Sequence, residues 1–435
     1  MLTIHPLSST LFVLVRLPVR SIHRVEKRHH HQTLSPNIPV RLISSRVRDG
    51  HHATSPTTTT HATPRLKTKV TYSMSTTIRY SSSEASGVKD AKPPSDPRPS
   101  SSIILLSPTN QVLLLHRVKT SSSFASAHVF PGGNLSEFHD GAVPTSGHPK
   151  RHEDSLAYRL GAIRETFEES GILLARKDRN SGALLNLATD HREKARKEIY
   201  ENKVSFTAWV ESLGGIADTE NLLPFTRWIT PAQNPKRFTT QMYVYMLPLS
   251  AGEDPVLAAA QNEALIPTPD GGAEITTAHF DDVATWLDKQ RRGEIILFPP
   301  QCFLLQMMAP FLIGPPPTSL GPQETHQYYQ TQREKLQFFM TTIPTATDPK
   351  ALKHPTSQIS WADKVISPVT LGVRQNDKRI ILGLDKAGLE LKESGRGGDW
   401  ERVVLVNFGK GGPTNVEVRG REEVLLEERD GRGKL

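Results

Sequence analysis

The sequence predicts an α+β fold, and three observations support that prediction. Two apolar runs, at residues 101–107 and 111–117, flank a Pro-Thr-Asn turn, which is the pattern of a β-hairpin. Residues 153–170 repeat apolar side chains at helical spacing. Alternating apolar segments beyond residue 364 indicate a second group of strands. We therefore expect helices and strands in one domain, followed by a small β-rich C-terminal extension.

Basic charge is concentrated near the N-terminus. Residues 1–80 contain twelve Lys and Arg side chains but only two acids, Glu26 and Asp49. The remainder holds 41 basic and 43 acidic residues, so the net charge of +8 belongs to the N-terminal stretch. This distribution gives no argument for nucleic-acid binding by the folded part. No stretch approaches eighteen consecutive apolar residues, and we therefore expect no membrane span.

The N-terminal stretch has the composition of a targeting segment. Its first 25 residues contain no acid, and the chain up to residue 98 is rich in Ser, Thr, His and Pro, so we expect a disordered extension. Basic, hydroxyl-rich and acid-poor sequence resembles a mitochondrial transit peptide, and Arg79 stands where a matrix-processing site has its arginine. The alternatives are a secretory signal, a peroxisomal address in the final Gly433-Lys434-Leu435, and a cytoplasmic chain with no address.

The helix predicted at residues 153–170 has an apolar side and an acidic side. Apolar residues at i, i+4, i+7 and i+11 define the first: Leu156, Leu160, Ile163 and Phe167. Three glutamates fall almost opposite them: Glu165, Glu168 and Glu169. We call these three glutamates the acidic cluster. Gly171 is able to adopt the left-handed conformation that ends a helix.

The acidic cluster predicts a site for a divalent cation. Like charges three and four residues apart repel each other and raise a carboxylate pKa unless a cation lies among them. Ligation by oxygen alone suits Mg²⁺ or Mn²⁺. The alternative is a solvated acidic face whose charge is balanced by Arg159 and Arg164.

Two motifs resemble the Nudix box, whose family pattern is G-x5-E-x7-R-E-U-x-E-E-x-G-U. Residues 164–172 read R-E-T-F-E-E-S-G-I, which is similar to its second half, and residues 130–133 read F-P-G-G, which resembles its start. Gly133 precedes Arg164 by 31 residues instead of fourteen, so residues 134–151 form an insertion. Leu156 stands at the spacing of the first box glutamate, and Glu153 and Asp154 are the candidates to replace that acid.

The resemblance implies an α/β/α sandwich, with a mixed sheet between helices, that hydrolyses a nucleoside diphosphate linked to another group. Glu168 and Glu169 would then ligate Mg²⁺ or Mn²⁺, Glu165 would be a ligand or the base that activates water, and Arg164 would orient a carboxylate. Glu274 is a second candidate for the base.

One Nudix branch is more similar than others. Residues 228–231 read W-I-T-P and residues 235–240 read P-K-R-F-T-T, a pair of motifs that resembles the peroxisomal coenzyme A diphosphatase and its relatives, which also carry a long insertion in the box. Residues 113–117 resemble the start of a coenzyme A signature, although Ser122 and Ala127 depart from it. The resemblance covers residues 101–312.

The implied substrate is therefore coenzyme A or an acyl-coenzyme A, and hydrolysis of coenzyme A would give 4′-phosphopantetheine and adenosine 3′,5′-bisphosphate. Four residues are predicted to contact substrate: Gly132, Gly133, Arg117 and Arg237. The alternatives are an ADP-ribose or NADH diphosphatase and a catalytically silent Nudix domain that serves as a binding module.

The predicted organisation has three parts. Residues 1–98 are the targeting extension, residues 99–313 the Nudix domain, and residues 314–435 a linker with the β-rich extension. Cys302 is the only cysteine, so intramolecular disulfides are excluded and we expect a core residue in a reduced compartment. The predicted partner is a small nucleotide-diphosphate substrate. The sequence leaves the oligomeric state open.

Overall fold

The computed structural model describes residues 93–120, 125–249, 265–270 and 274–432. The predicted targeting segment up to residue 92, Arg79 at the proposed processing site, Ser122 and the C-terminal tripeptide lie outside these residues. In the part of the chain described, no helix combines the length and the apolar character needed to cross a bilayer.

The strands are β1 (Arg98–Leu106), β2 (Val112–Arg117), β3 (His128–Val129), β4 (Gly132–Asn134), β5 (Ala175–Arg176), β6 (Ile216–Ala217), β7 (Leu223–Ile229), β8 (Phe238–Met246), β9 (Ile275–Asp281), β10 (Val365–Ile366), β11 (Val369–Val373), β12 (Ile380–Lys386), β13 (Gly397–Gly409) and β14 (Gly412–Gly420). The helices are α1 (Glu137–Asp140), α2 (Leu156–Ser170), α3 (Thr189–Tyr200), α4 (Phe206–Ser212), α5 (Val283–Arg291), α6 (Pro299–Met308), α7 (Pro322–Thr341) and α8 (Arg421–Arg432).

A mixed sheet, eight-stranded within the described residues, is the centre of the fold. Its main path runs β10-β7-β8-β1-β2-β3, with β4 paired to β1 and β9 paired to β2. β1 is parallel to β8, and β10 is parallel to β7, whereas β1 and β2 pair antiparallel. The predicted hairpin is therefore present, and its turn places Asn110 at a φ of 60°.

Alternate residues of the central strands face opposite layers of helices, as the pleat of a strand requires. Ile103 of β1 packs in one cluster with Phe167 of α2, and α3 and α4 contribute to the same cluster. The next residue, Ile104, belongs to a second cluster with Trp286 of α5, to which α6 and α7 also contribute. Helices thus cover both faces of the sheet, which confirms the predicted α/β/α arrangement.

The buried side of α2 differs from the prediction. The helix begins at Leu156 instead of Glu153, and Leu156 is 62% exposed. The buried positions towards the sheet instead include the small residues Gly161 and Ala162, because α2 lies close to β1 and α1. A Cβ atom on Gly161 would lie 3.0 Å from an Asp140 oxygen. The predicted stop is confirmed, since Gly171 adopts a φ of 73° and its amide donates to the carbonyl of Phe167.

The C-terminal residues share the core of the sandwich. β11 to β14 form the predicted second sheet in antiparallel order, and α8 follows it, a helix that the pattern did not indicate. Val404 of β13 and Trp361 lie in the same core cluster as Phe303 of α6. β10 also extends the central sheet by pairing with β7. Burial of Cys302 in this cluster confirms its predicted place in the core and raises the pKa of its thiol to about 12.

Candidate active site

The acidic cluster occupies the last turns of α2 and faces strand β4. β4 is held there by its antiparallel pairing with β1, in which Ser101 lies opposite Gly133 and Ser102 opposite Gly132. Side-chain exposure is only 16% for Glu165, 12% for Glu168 and 7% for Glu169. The cluster is therefore not the solvated acidic face of the alternative interpretation.

The two glycines of β4 allow the carboxylates to approach the backbone. The amide of Gly132 donates a hydrogen bond of 2.8 Å to Oε2 of Glu169. A Cβ atom on Gly133 would lie 2.5 Å from the carboxyl carbon of Glu165, so a larger residue would displace that side chain. In this structure the glycines contact the acidic cluster, and the contact with substrate phosphates stays a prediction.

Arg164 is a buried cation of the site, and its guanidinium is enclosed by acids. Nη1 donates to Glu165 at 2.8 Å and to Glu168 at 2.9 Å, while Nη2 donates to the carbonyl of Asn134 at 2.8 Å. Nε and Nη2 bind both oxygens of Asp140 at 2.9 and 3.0 Å. Arg164 thus binds three carboxylates, and its predicted role as a residue that orients a carboxylate for catalysis stays a prediction.

Asp140 is a site residue that the sequence did not indicate. It ends α1 inside the box insertion, is 1% exposed, and also accepts the amide of Ser136 at 2.8 Å. The two acids predicted to replace the first box glutamate lie elsewhere, because Glu153 is exposed and Asp154 pairs with Arg159 at 2.6 Å. Asp140 follows Gly133 by seven residues, close to the six of the family pattern, and that spacing was the available signal.

Arg117 and Glu274 complete the site on its open side. Arg117 of β2 lies 3.5 Å from Oε1 of Glu169 and donates to Glu274 at 2.8 Å. The backbone amide of Glu274 donates to Asp270 at 2.7 Å, which fixes the start of β9. At 43% exposed, the Glu274 side chain is the most open carboxylate of this group. The predicted phosphate contact of Arg117 stays a prediction, since the structure pairs it with acids.

Burial changes the protonation of the acidic cluster. It raises the pKa of Glu165 to about 7, with Arg164 opposing the shift and Glu168 adding to it. It also raises the pKa of Glu169 well above its ordinary value, with Glu165 adding to the shift. Burial opposes ionisation of Arg164, but its acidic neighbours raise the pKa of the guanidinium overall. Carboxylates in this state would be stabilised as anions by an additional cation.

The acidic cluster fits a divalent metal in its donor chemistry. Every side-chain donor is a carboxylate oxygen, which Mg²⁺ and Mn²⁺ prefer. Among the described residues, however, no group of three acidic, histidine or cysteine side chains is arranged to hold an ion. Two members of the acidic cluster, Glu165 and Glu168, pair with Arg164 instead. Metal ligation by these glutamates therefore stays a prediction that requires their side chains to turn from Arg164.

In the described part of the chain, Arg237 contacts none of the acidic cluster, and its predicted contact with a substrate phosphate stays a prediction. It is 3% exposed and forms an ion pair of 2.6 Å with Glu390 in the C-terminal part of the chain. Its other hydrogen bonds go to the carbonyls of Thr230 and Ser95. Charge and motif context indicated a phosphate ligand, but its acidic partner lies too far along the chain to be recognised from sequence.

Comparison with known proteins agrees with the motifs. Residues 143–308 match the family described as the NUDT19 Nudix domain. The chain is 26% identical over 213 residues to the putative nudix hydrolase 7 of Caenorhabditis elegans, a match that covers 49% of this chain and 60% of that protein. It is 30% identical over 183 residues to the acyl-coenzyme A diphosphatase NUDT19 of Gallus gallus, covering 32% and 48% respectively.

The Xenopus laevis protein of the same name is 25% identical over 243 residues, covering 46% of this chain and 60% of that protein. The chain thus spans 48% to 60% of the length of these curated relatives. Among solved structures, a NUDIX hydrolase from Alicyclobacillus acidocaldarius is similar at a TM-score of 0.37 and 21% identity, over 48% of this chain and 90% of that one. The matched family model, the curated relatives and the box residues agree with one another, so the chain is similar to Nudix hydrolases over residues 143–308.

Proposed function

We propose that the protein hydrolyses the diphosphate bond of coenzyme A or an acyl-coenzyme A. Coenzyme A would give 4′-phosphopantetheine and adenosine 3′,5′-bisphosphate. The single observation that carries a hydrolytic function is the buried acidic cluster against the glycines of β4, with Arg117 and Glu274 at its open side. Two relatives named acyl-coenzyme A diphosphatase support this choice of substrate.

The acidic cluster would hold a Mg²⁺ or Mn²⁺ ion, which when bound neutralises diphosphate charge and acidifies a coordinated water. Arg164 and Asp140 keep the C-terminal turns of α2 and the box insertion together. Two carboxylates are candidates to accept the proton of the attacking water. Glu165 has a pKa of about 7, near the operating pH that general base catalysis favours, and Glu274 is the most exposed.

A substrate panel tests the proposal. Full-length protein is incubated with coenzyme A, an acyl-coenzyme A, ADP-ribose and NADH, each with Mg²⁺ and with Mn²⁺, and the products are separated by chromatography. We expect the two coenzyme A substrates to be cleaved at their diphosphate. A preference for ADP-ribose or NADH would instead assign the alternative substrate class, and the absence of hydrolysis with either metal would contradict a diphosphatase.

The same assay distinguishes the two candidate bases. E165Q and E274Q are compared at saturating substrate over pH 5 to 9. Removal of the base lowers kcat and abolishes the acid limb of the pH profile, whereas removal of a residue that only positions substrate raises KM and keeps that limb. Loss of the acid limb in neither variant would exclude both residues as the base.

One observation favours a second candidate, the catalytically silent binding module. Arg164 already neutralises two members of the acidic cluster, and no described group of three ligands is arranged for a metal. Titration calorimetry with Mn²⁺ separates the two functions. Binding that E168Q weakens supports the enzyme, whereas nucleotide binding that is independent of Mn²⁺ and insensitive to E168Q supports the module.

We also propose mitochondrial import, from the composition of residues 1–92. A fusion of this segment to a fluorescent protein should accumulate in mitochondria. Replacing Arg16, Arg20 and Arg24 by glutamine should release it, because import signals of this kind depend on their basic residues. A cytoplasmic or peroxisomal location of the full-length protein would contradict the proposal.

A further inference from the structure

Within the part of the chain that the structure describes, Arg227 is a buried charge without an acidic partner. It lies in β7, is 0% exposed, and donates one hydrogen bond, from Nη1 to the hydroxyl of Thr239 at 3.2 Å. Its Nε and Nη2 atoms are buried and have no hydrogen-bond partner among the described residues. Burying an ionised group without a counter-charge is costly, so an orphan of this kind in a folded protein indicates an ion or water that completes its bonds.

The guanidinium packs over an aromatic side chain from the first turn of α2. Its central carbon is 4.4 Å from the centre of the Tyr158 ring, and Tyr158 is in the first turn of that helix. The N-cap residue Ser155 makes no capping hydrogen bond, and its buried hydroxyl has no partner among the described residues. Amides of the first turn and the helix dipole both favour an anion at such a position.

Two further arginines lie with Arg227 near the side chain of His152. Arg396 donates to the carbonyl of His152 at 2.5 Å and to that of Asp363 at 3.2 Å, and Arg151 donates to the carbonyls of residues 97 and 144 at 3.2 and 2.6 Å. Neither forms an ion pair with an acid among the described residues. We call three residues the arginine cluster: Arg151, Arg227 and Arg396. They come from the box insertion, the central sheet and the C-terminal part of the chain, respectively.

Acids near the arginine cluster leave it with excess positive charge. Glu390 is partly buried; one of its oxygens binds Arg237 at 2.6 Å, and the other has no hydrogen-bond partner among the described residues. Glu153 is exposed, and the carboxylate of Asp363 accepts the hydroxyl of Ser360 at 2.7 Å. Desolvation and then Arg227 lower the pKa of His152 to about 4, so this imidazole adds no charge at neutral pH, and desolvation followed by Arg227 also lowers the pKa of Arg396.

We propose that the N-terminal end of α2 is a binding site for a phosphate group, held by Arg227 and the hydroxyl of Ser155 and covered by Arg396. The site is distinct from the acidic cluster, which lies in the last turns of the same helix. Three independent features support it: a fully buried unpaired guanidinium, an uncapped helix end, and two arginines bonded to carbonyls alone. The phosphate is either the free ion or the phosphate group of a nucleotide.

Thermal unfolding of the full-length protein tests the proposal. Inorganic phosphate at about one hundred times its Kd should raise Tm by roughly 5 °C above a chloride control of equal ionic strength. R227M should lose this shift. The matched control is R159M, which removes a neighbouring arginine of α2 that already pairs with Asp154, and it should keep the shift. Adenosine monophosphate is the second ligand, and a larger shift than phosphate gives would identify a nucleotide as the source.

Three outcomes overturn the proposal. They are the absence of a phosphate shift in the wild type, an equal shift in R227M, and loss of the shift in R159M. The first would mean that buried water satisfies Arg227, and the others would place the ion elsewhere. If R227M does not fold, R396Q replaces it, because Arg396 is only partly buried. R396Q should reduce the Tm shift that phosphate produces. A full Tm shift in R396Q would contradict the proposal.

Discussion

The two ends of α2 differ in charge, and each has the sign that the helix itself disfavours. The dipole of a helix makes its N-terminus positive and its C-terminus negative, yet the arginine cluster lies at the first and the acidic cluster at the second. Arg164 partly neutralises the acidic cluster, whereas the arginine cluster has no ion-paired acid among the described residues. Each end is therefore suited to a ligand of opposite charge, a metal cation at one and a phosphate at the other.

The largest expected effect comes from breaking the acidic end. E168Q keeps the size of the side chain but removes a charge, so we expect kcat to fall by more than ~100-fold, beyond the loss typical of residues that only support a metal ligand. The assay is Mg²⁺-dependent hydrolysis of coenzyme A. E153Q is the matched control, because Glu153 is exposed and forms no ion pair or side-chain hydrogen bond with the acidic cluster in the described structure, and it should keep wild-type kcat. Full activity in E168Q would contradict the assigned site.

Asp140 should have the next largest effect, since it binds both Nε and Nη2 of Arg164. We expect D140N to lower kcat by about 10- to 100-fold and to destabilise the fold by about 3 kcal/mol, as loss of one partner of a buried pair does. Both are measured on the same preparation, by steady-state kinetics and urea unfolding. D154N is the control for kcat. If D154N lost activity and D140N kept it, Asp154 and not Asp140 would be the residue that replaces the first glutamate of the box.

Gly133 tests how closely the acidic cluster must approach β4. In G133A the added methyl would meet the carboxyl group of Glu165, which is able to turn away, so we expect a loss in kcat of roughly tenfold with little change in Tm. G182A is the control, since a Cβ atom there would meet no atom within 4 Å. Equal kcat values for the two variants would show that the position of Glu165 is not critical.

Local sequence patterns predicted the acidic end of α2 but not the arginine end. Helical spacing placed Glu165 and Glu168 on one side and Gly171 at the stop, because these relations depend only on neighbours within one or two turns. The partner of Arg164 lies 24 residues away in an irregular insertion, where no periodicity fixes its position. The burial of Arg227 depends on a helix and on the C-terminal part, both distant in sequence. Its lack of an acidic partner among the described residues could therefore be recognised only from the structure.

The exposure of Leu156 has the same origin. Spacing assigned it to the buried side of the helix, yet the sheet contacts small side chains such as Gly161 instead, because β1 and α2 approach closely there. Helical periodicity predicts that one side of α2 is buried. How deeply each residue on that side is buried depends on the shape of the strands and helices that pack against it. The strands of the central hairpin were predicted correctly, because both of their faces are buried and the prediction did not depend on which face packs more closely.

The smallest expected effect concerns protons at the arginine end. The pKa of His152 is about 4 in the folded protein, lowered by burial and then by Arg227, against about 6.5 in an unfolded chain. The unfolded state therefore binds more protons as pH falls through 6.5, and the folded state loses stability between pH 6.5 and 4. For His152 alone the loss is about 1 kcal/mol at pH 5.5. Urea unfolding at pH 7.5 and 5.5 should show that H152Q loses less stability on acidification than the wild type.

Repeating the urea unfolding with phosphate makes this test more specific. A bound phosphate would change the charge around the arginine cluster and therefore the pKa of His152. An anion bound beside Arg227 would weaken the positive potential at His152, so phosphate should reduce the acid-induced loss in the wild type and leave H152Q almost unchanged. An equal loss in both proteins would place the acid sensitivity on other groups, such as His128, whose pKa burial also lowers to about 4. Acid sensitivity that is specific to His152 and relieved by phosphate would show that the N-terminal end of α2 holds excess positive charge in solution, as the acidic end holds excess negative charge.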